Sequence, residues 1–87
     1  MNLLCEHIQK VVDISKQHGV DVLEVSDGWT KIKQVVHMKS GLTSELKKEI
    51  EEQQLCLRYW SSPKTPHNAG DEGFTCDACK VGITFPQ

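Results

Sequence analysis

The stretch Cys76-Asp77-Ala78-Cys79, close to the end of an 87-residue chain, constrains this sequence more than any other. Two thiols at this spacing in a tight turn can grip one metal ion, and the backbone N–H groups that follow can donate to the sulfurs. A structural zinc needs four ligands near tetrahedral angles, so the turn is half a site. The other half has to come from Cys5, His7, His18, His37, Cys56 or His67. Lys80, directly after the second cysteine, adds positive charge beside a thiolate cluster.

Spacing separates the candidates. Cys5 and His7 form a Cys-x-His pair, but on a helix starting at Asn2 or Leu3 they point in nearly opposite directions. They ligate together only if the helix starts after His7. Cys56 with His67 is the better pair, one on a strand and the other in a loop able to reach it. The spacing C-x10-H-x8-C-x2-C closes a 24-residue unit, which limits the loop-closure cost. The expected zinc ligands are therefore Cys76, Cys79, Cys56 and His67. Reduced thiols without metal are the competing reading. A redox role fits less well, because thioredoxin-like pairs precede a helix in a βαβ unit and this one lies among β-like residues.

The rest of the chain reads as a small α+β domain. Residues 2–18 place Leu4, Ile8, Val11 and Val12 on one helical face, with Asn2 as N-cap and Gly19 as C-cap. Residues 20–38 read as a hairpin turning at Asp27-Gly28. That turn pairs Glu24 with Lys31 and Leu23 with Ile32, and it puts Leu23, Val25, Ile32, Val36 and Met38 on one face. Residues 43–54 form a charged helix, capped by Thr43 or Ser44, with the apolar stripe Leu42, Leu46 and Ile50. In the strand at 55–60, Leu55, Leu57 and Tyr59 alternate with Cys56, Arg58 and Trp60. Residues 61–73 are a loop by every breaker rule, and 73–85 form a β-turn-β unit around the Cys-x-x-Cys. The expected architecture is one domain, 1–87, a mainly antiparallel sheet with two helices on one face and a zinc knuckle at its C-terminal end.

The sheet face away from the helices then carries Trp29, Lys31, Lys33, Arg58 and Trp60, with His37. Aromatics interleaved with cations are what single-stranded nucleic acid binders use, and Trp and Arg are also common anchors at protein interfaces. The net charge of −2, from ten basic and twelve acidic residues, favours the protein partner, since nucleic-acid domains are commonly basic. The segment Leu23-Glu24-Val25-Ser26-Asp27-Gly28-Trp29 with the strand after it is similar to the hairpin of some OB-fold single-strand DNA-binding domains. That resemblance implies a five-stranded barrel, in which the N-terminal helix stands where a first strand is expected.

Several classes fall away. No basic stretch leads into an apolar one behind Met1, and no run of about 18 apolar residues is present. An intracellular, reducing setting without membrane insertion is expected, and there reduced thiols favour metal binding or burial. No nucleophile elbow, His-Glu-x-x-His or phosphate-binding glycine loop occurs, which argues against an enzyme. The sequence thus points to a non-catalytic binding or regulatory module with a structural zinc and a protein partner. A single-stranded nucleic-acid-binding domain and a metal-free interaction domain are the alternatives.

Overall fold

A computed structural model describes residues 5–53, 57–62, 66 and 70–86, with Trp29 described by its backbone alone. The order is α1 (Glu6–Gln17), β1 (Val22–Trp29), β2 (Ile32–Met38), α2 (Ser44–Glu52), β3 (Arg58–Ser61), β4 (Asp71–Cys76) and β5 (Val81–Pro86). The five strands form one mixed sheet in the order β1-β2-β5-β4-β3. Its pairs are antiparallel except β2 with β5, which run parallel. The sheet is open at β1 and β3, so the barrel implied by the OB-fold resemblance is not what these strands build.

Both helices lie on one face of the sheet, as the narrow apolar stripes require. Ile8, Val11 and Val12 of α1 and Leu46 and Ile50 of α2 are buried against Val36, Met38, Phe74, Val81, Ile83 and Phe85. Burying aliphatic side chains of this size contributes about 1.5–3 kcal/mol each. Thr43 caps α2, its hydroxyl accepting from the Leu46 N–H at 3.1 Å. At the other end of α1, the Gly19 N–H reaches Lys16 O at 3.0 Å and the Val20 N–H reaches Ser15 O at 2.8 Å. Those two bonds make a Schellman closure. His18, at the C-cap of α1, meets Glu49 of α2 and ties the helices together. No described helix is long and apolar enough to cross a membrane.

The hairpin differs from the expected one. Its turn is Thr30-Lys31, with Trp29 opposite Ile32, Val25 opposite Val36 and Glu24 opposite His37. Longer strands bring Val22 and Val25 against Met38 and Val36, the apolar partners that a turn at Asp27-Gly28 would forfeit. Val22 and Val25 are an odd number of residues apart, so strict alternation cannot place both on the helix side. A bulge between Val22 and Glu24 restores the phase. Leu23 is the residue left over; it is 61% exposed instead of in the core. Gly28 serves close packing within the ladder rather than the turn, since a Cβ there would lie 2.0 Å from the Ile32 carbonyl oxygen.

Candidate metal centre

Cys76 ends β4 and pairs directly with Val81, the first residue of β5, so Asp77–Lys80 form the turn between them. The Lys80 N–H donates to Cys76 O at 2.8 Å. Lys80 closes the turn with φ 62°, a left-handed backbone that costs a side-chain-bearing residue about 1–2 kcal/mol. Its carbonyl accepts from the Lys33 N–H of β2 at 2.7 Å, which anchors the knuckle to the sheet.

The second pair of donors comes from the start of α1. Cys5 and His7 lie beside Cys76 and Cys79, and the four ligating atoms are all within 4.8 Å of one another. This corrects the expectation that Cys5 and His7 point apart. The helix begins at Glu6, not at Asn2 or Leu3, and the pair meets without the helix starting after His7, because Cys5 is its N-cap with an extended backbone (φ −136°, ψ 123°). The rule for two residues on one helix therefore does not apply to the pair. Cys5 occupies a position that favours Ser, Thr, Asp or Asn, yet its side chain makes no capping bond. A local rule is broken here, which is common at functional sites, and the buried Cys5 thiol belongs to the cluster instead. The Cys-x-His spacing was the signal in the sequence. Cys56 and His67, the partners expected there, lie outside the described residues.

The donor set fits a metal ion. A tetrahedral zinc with bonds of about 2.0–2.3 Å spaces a nitrogen and a sulfur ligand roughly 3.5 Å apart, and His7 Nδ1 lies 3.4 Å from Cys76 Sγ. Burial opposes charge on Cys76. The His7 ring, the Cys79 backbone N–H and the Cys5 and Cys79 thiols outweigh it by hydrogen bonding to that sulfur, and the Cys76 thiol falls to about 7. Hydrogen bonding to Cys5, burial, and the charges on Cys5 and Cys76 push Cys79 up to about 12. Within the Cys-x-x-Cys turn, Cys76 is thus the thiol that gives up its proton more readily and Cys79 the one that holds it. A divalent cation displaces protons from such a cluster when it binds.

The residues expected to meet a partner are partly brought together. Tyr59 stacks edge-on against Phe74 at 5.6 Å, with Lys47 of α2 4.0 Å from its ring centre, so Tyr59 is on the helix side. By alternation Arg58 and Trp60 are on the open face. Trp60 lies across Gly73, where an added Cβ would be 3.0 Å from its ring. Lys33, Val35 and His37 alternate with the core residues Val36 and Met38 and share that open face. There His37 Nε2 and Ser26 Oγ are 2.9 Å apart. Lys31 is in the hairpin turn rather than in a strand. The Trp29 side chain is outside the described set.

No protein-family model, no curated protein and no solved structure matches the chain. The donor atoms and their spacing carry the reading of the site.

Proposed function

We propose that the chain is a non-catalytic binding module whose ends are fastened by a structural zinc on Cys5, His7, Cys76 and Cys79. The observation that carries this reading is the meeting of three thiols and an imidazole within 4.8 Å, drawn from the two ends of the described chain. Cys3His is a regular structural zinc set, and four protein ligands leave no open position for a substrate or a reactive water. The metal would contribute folding energy and rigidity, holding α1 on the sheet. Small domains often need such a staple.

The partner we favour is a protein, contacted through the open sheet face with Lys33, Arg58 and Trp60. Arg and Trp are frequent anchors at protein interfaces. A single-stranded nucleic acid is the second reading, supported by the same aromatic and cations and opposed by the net charge of −2.

Native mass spectrometry of protein purified without chelator tests the staple. One zinc per chain is expected. A fully folded, metal-free mass would overturn it in favour of a domain with reduced thiols.

A further inference from the structure

The thiols of the cluster are odd in number and unequal in access. Cys5 and Cys76 are 2% and 1% exposed, whereas Cys79 is half-buried, between the exposed Ala78 and Lys80. A divalent cation keeps each thiol that coordinates it deprotonated, so access alone ranks the bound sulfurs. An oxidant in solution meets Cys79 first.

Cys76 is placed to pair with it. The Cys79 backbone N–H bonds to the Cys76 sulfur, and the two sulfurs lie within 4.8 Å of each other. Residues three apart in a tight turn have Cα atoms less than about 7 Å apart, a separation that a disulfide spans. The turn does not depend on a metal for its place on the sheet. The Lys33 N–H bonds to Lys80 O at 2.7 Å, and Arg58 of β3 holds Asp77 at 3.1 Å. Cys5 differs. It precedes α1, its side chain makes no capping bond, and its tie to the turn sulfurs is the cation they share.

We propose that the Cys76–Cys79 turn is an oxidation site for peroxide, whose disulfide expels the zinc and frees Cys5 and His7. The proposal rests on the zinc reading above and adds its regulation. The Cys79 thiolate attacks one peroxide oxygen, the O–O bond breaks, and a sulfenic acid and hydroxide form. The Cys76 thiolate attacks the sulfenic sulfur, the S–S bond forms, and the S–O bond breaks to release a second hydroxide. The sulfurs lose two electrons to the peroxide, two solvent protons complete two waters, and zinc leaves as the divalent ion. Cys5 and His7 are then two donors, half of what a structural zinc needs. The start of α1 loses its fastening while the turn stays on the sheet.

The test uses the zinc-loaded full chain carrying Cys56→Ser, so that only the cluster thiols remain. It is treated with hydrogen peroxide in the presence of a chromogenic zinc chelator. One zinc is expected to be released for each disulfide formed. Trypsin then maps the disulfide, because Lys10 parts Cys5 from the turn while no lysine or arginine lies between Cys76 and Cys79. The disulfide is expected within the turn peptide, and dithiothreitol with fresh zinc should restore the loaded form. If Cys56→Ser fails to fold, the same map is read on the parent chain, where Arg58 and Lys64 part Cys56 from the turn. Zinc retained through peroxide that fully oxidises free cysteine overturns the proposal. So does a first disulfide on Cys5, which would keep α1 fastened, or sulfinic acid as the only product, which dithiothreitol does not reverse. Zinc measured before treatment separates the two readings. A zinc-free reduced chain overturns the staple and the release together, whereas a loaded chain that keeps its metal overturns the release alone.

Discussion

His7 Nδ1 sits 3.4 Å from Cys76 Sγ although 69 residues of chain separate them. The contact joins the first turn of α1 to the end of β4. Everything between them is enclosed by whatever holds that contact. A cross-link closing roughly 70 residues removes about 4 kcal/mol of chain entropy from the unfolded state. For a domain of this size each kcal/mol is worth roughly 4–8 °C in melting temperature.

The ligand set gives the first prediction. Cys5→Ser, His7→Ala, Cys76→Ser and Cys79→Ser are each expected to lose stoichiometric zinc and to melt roughly 15–30 °C lower than the parent. Cys56→Ser and His67→Ala should keep the metal. Metal analysis with thermal melts checks both halves. Retention of zinc by Cys5→Ser together with its loss in Cys56→Ser would restore the ligand set expected from spacing alone.

Acid gives the second. Three thiols and an imidazole must shed protons to hold a divalent cation, so protons compete with the metal and affinity falls as pH falls. Zinc release, followed with a chromogenic chelator, should rise as the pH drops below neutrality. Readdition of zinc at neutral pH should reverse it. A zinc content that does not change down to acid unfolding would show that the metal is held elsewhere.

These two predictions concern the part of the molecule that the sequence disclosed least well. The Cys76–Cys79 turn was legible because both cysteines lie within one short element. The approach of Cys5 and His7 to it was not, because the orientation of Cys5 depends on where α1 begins, and a start at Glu6 instead of Asn2 or Leu3 takes Cys5 out of helical geometry. The face assignment of Arg58 and Trp60 was legible from alternation alone. The register of the hairpin was not. Asp27-Gly28 is a strong local turn signal, yet pairing Val22 and Val25 with Met38 and Val36 outweighs it. Leu23 went to the wrong face for the same reason, since a bulge leaves no trace in a periodic pattern.

The two sheet glycines should respond oppositely to alanine. Gly73→Ala forces a methyl into a backbone oxygen 1.9 Å away and is expected to cost about 3 kcal/mol or more. Gly82→Ala meets only ordinary contacts and should leave stability unchanged or raise it by up to about 1 kcal/mol. Urea denaturation of the two variants measures this directly. Equal destabilisation would mean that the ladder requires glycine at 82 as well as at 73.

Lys80 gives the last prediction. Its φ of 62° is the left-handed conformation, and the residue holds it because two backbone bonds depend on it. The Lys80 N–H reaches back to Cys76 O, and its carbonyl receives the Lys33 N–H. Glycine adopts that conformation without the side-chain penalty, while it adds freedom to the unfolded chain. Lys80→Gly should therefore stabilise the protein slightly, by up to about 1 kcal/mol, and keep the metal. A β-branched residue suffers most from a positive φ, so Lys80→Val should destabilise by more than about 1 kcal/mol and weaken zinc retention. If the lysine charge were what the knuckle needs, Lys80→Gly and Lys80→Val would lose zinc alike. Parallel melts and metal titrations of the two variants distinguish the backbone requirement from the charge.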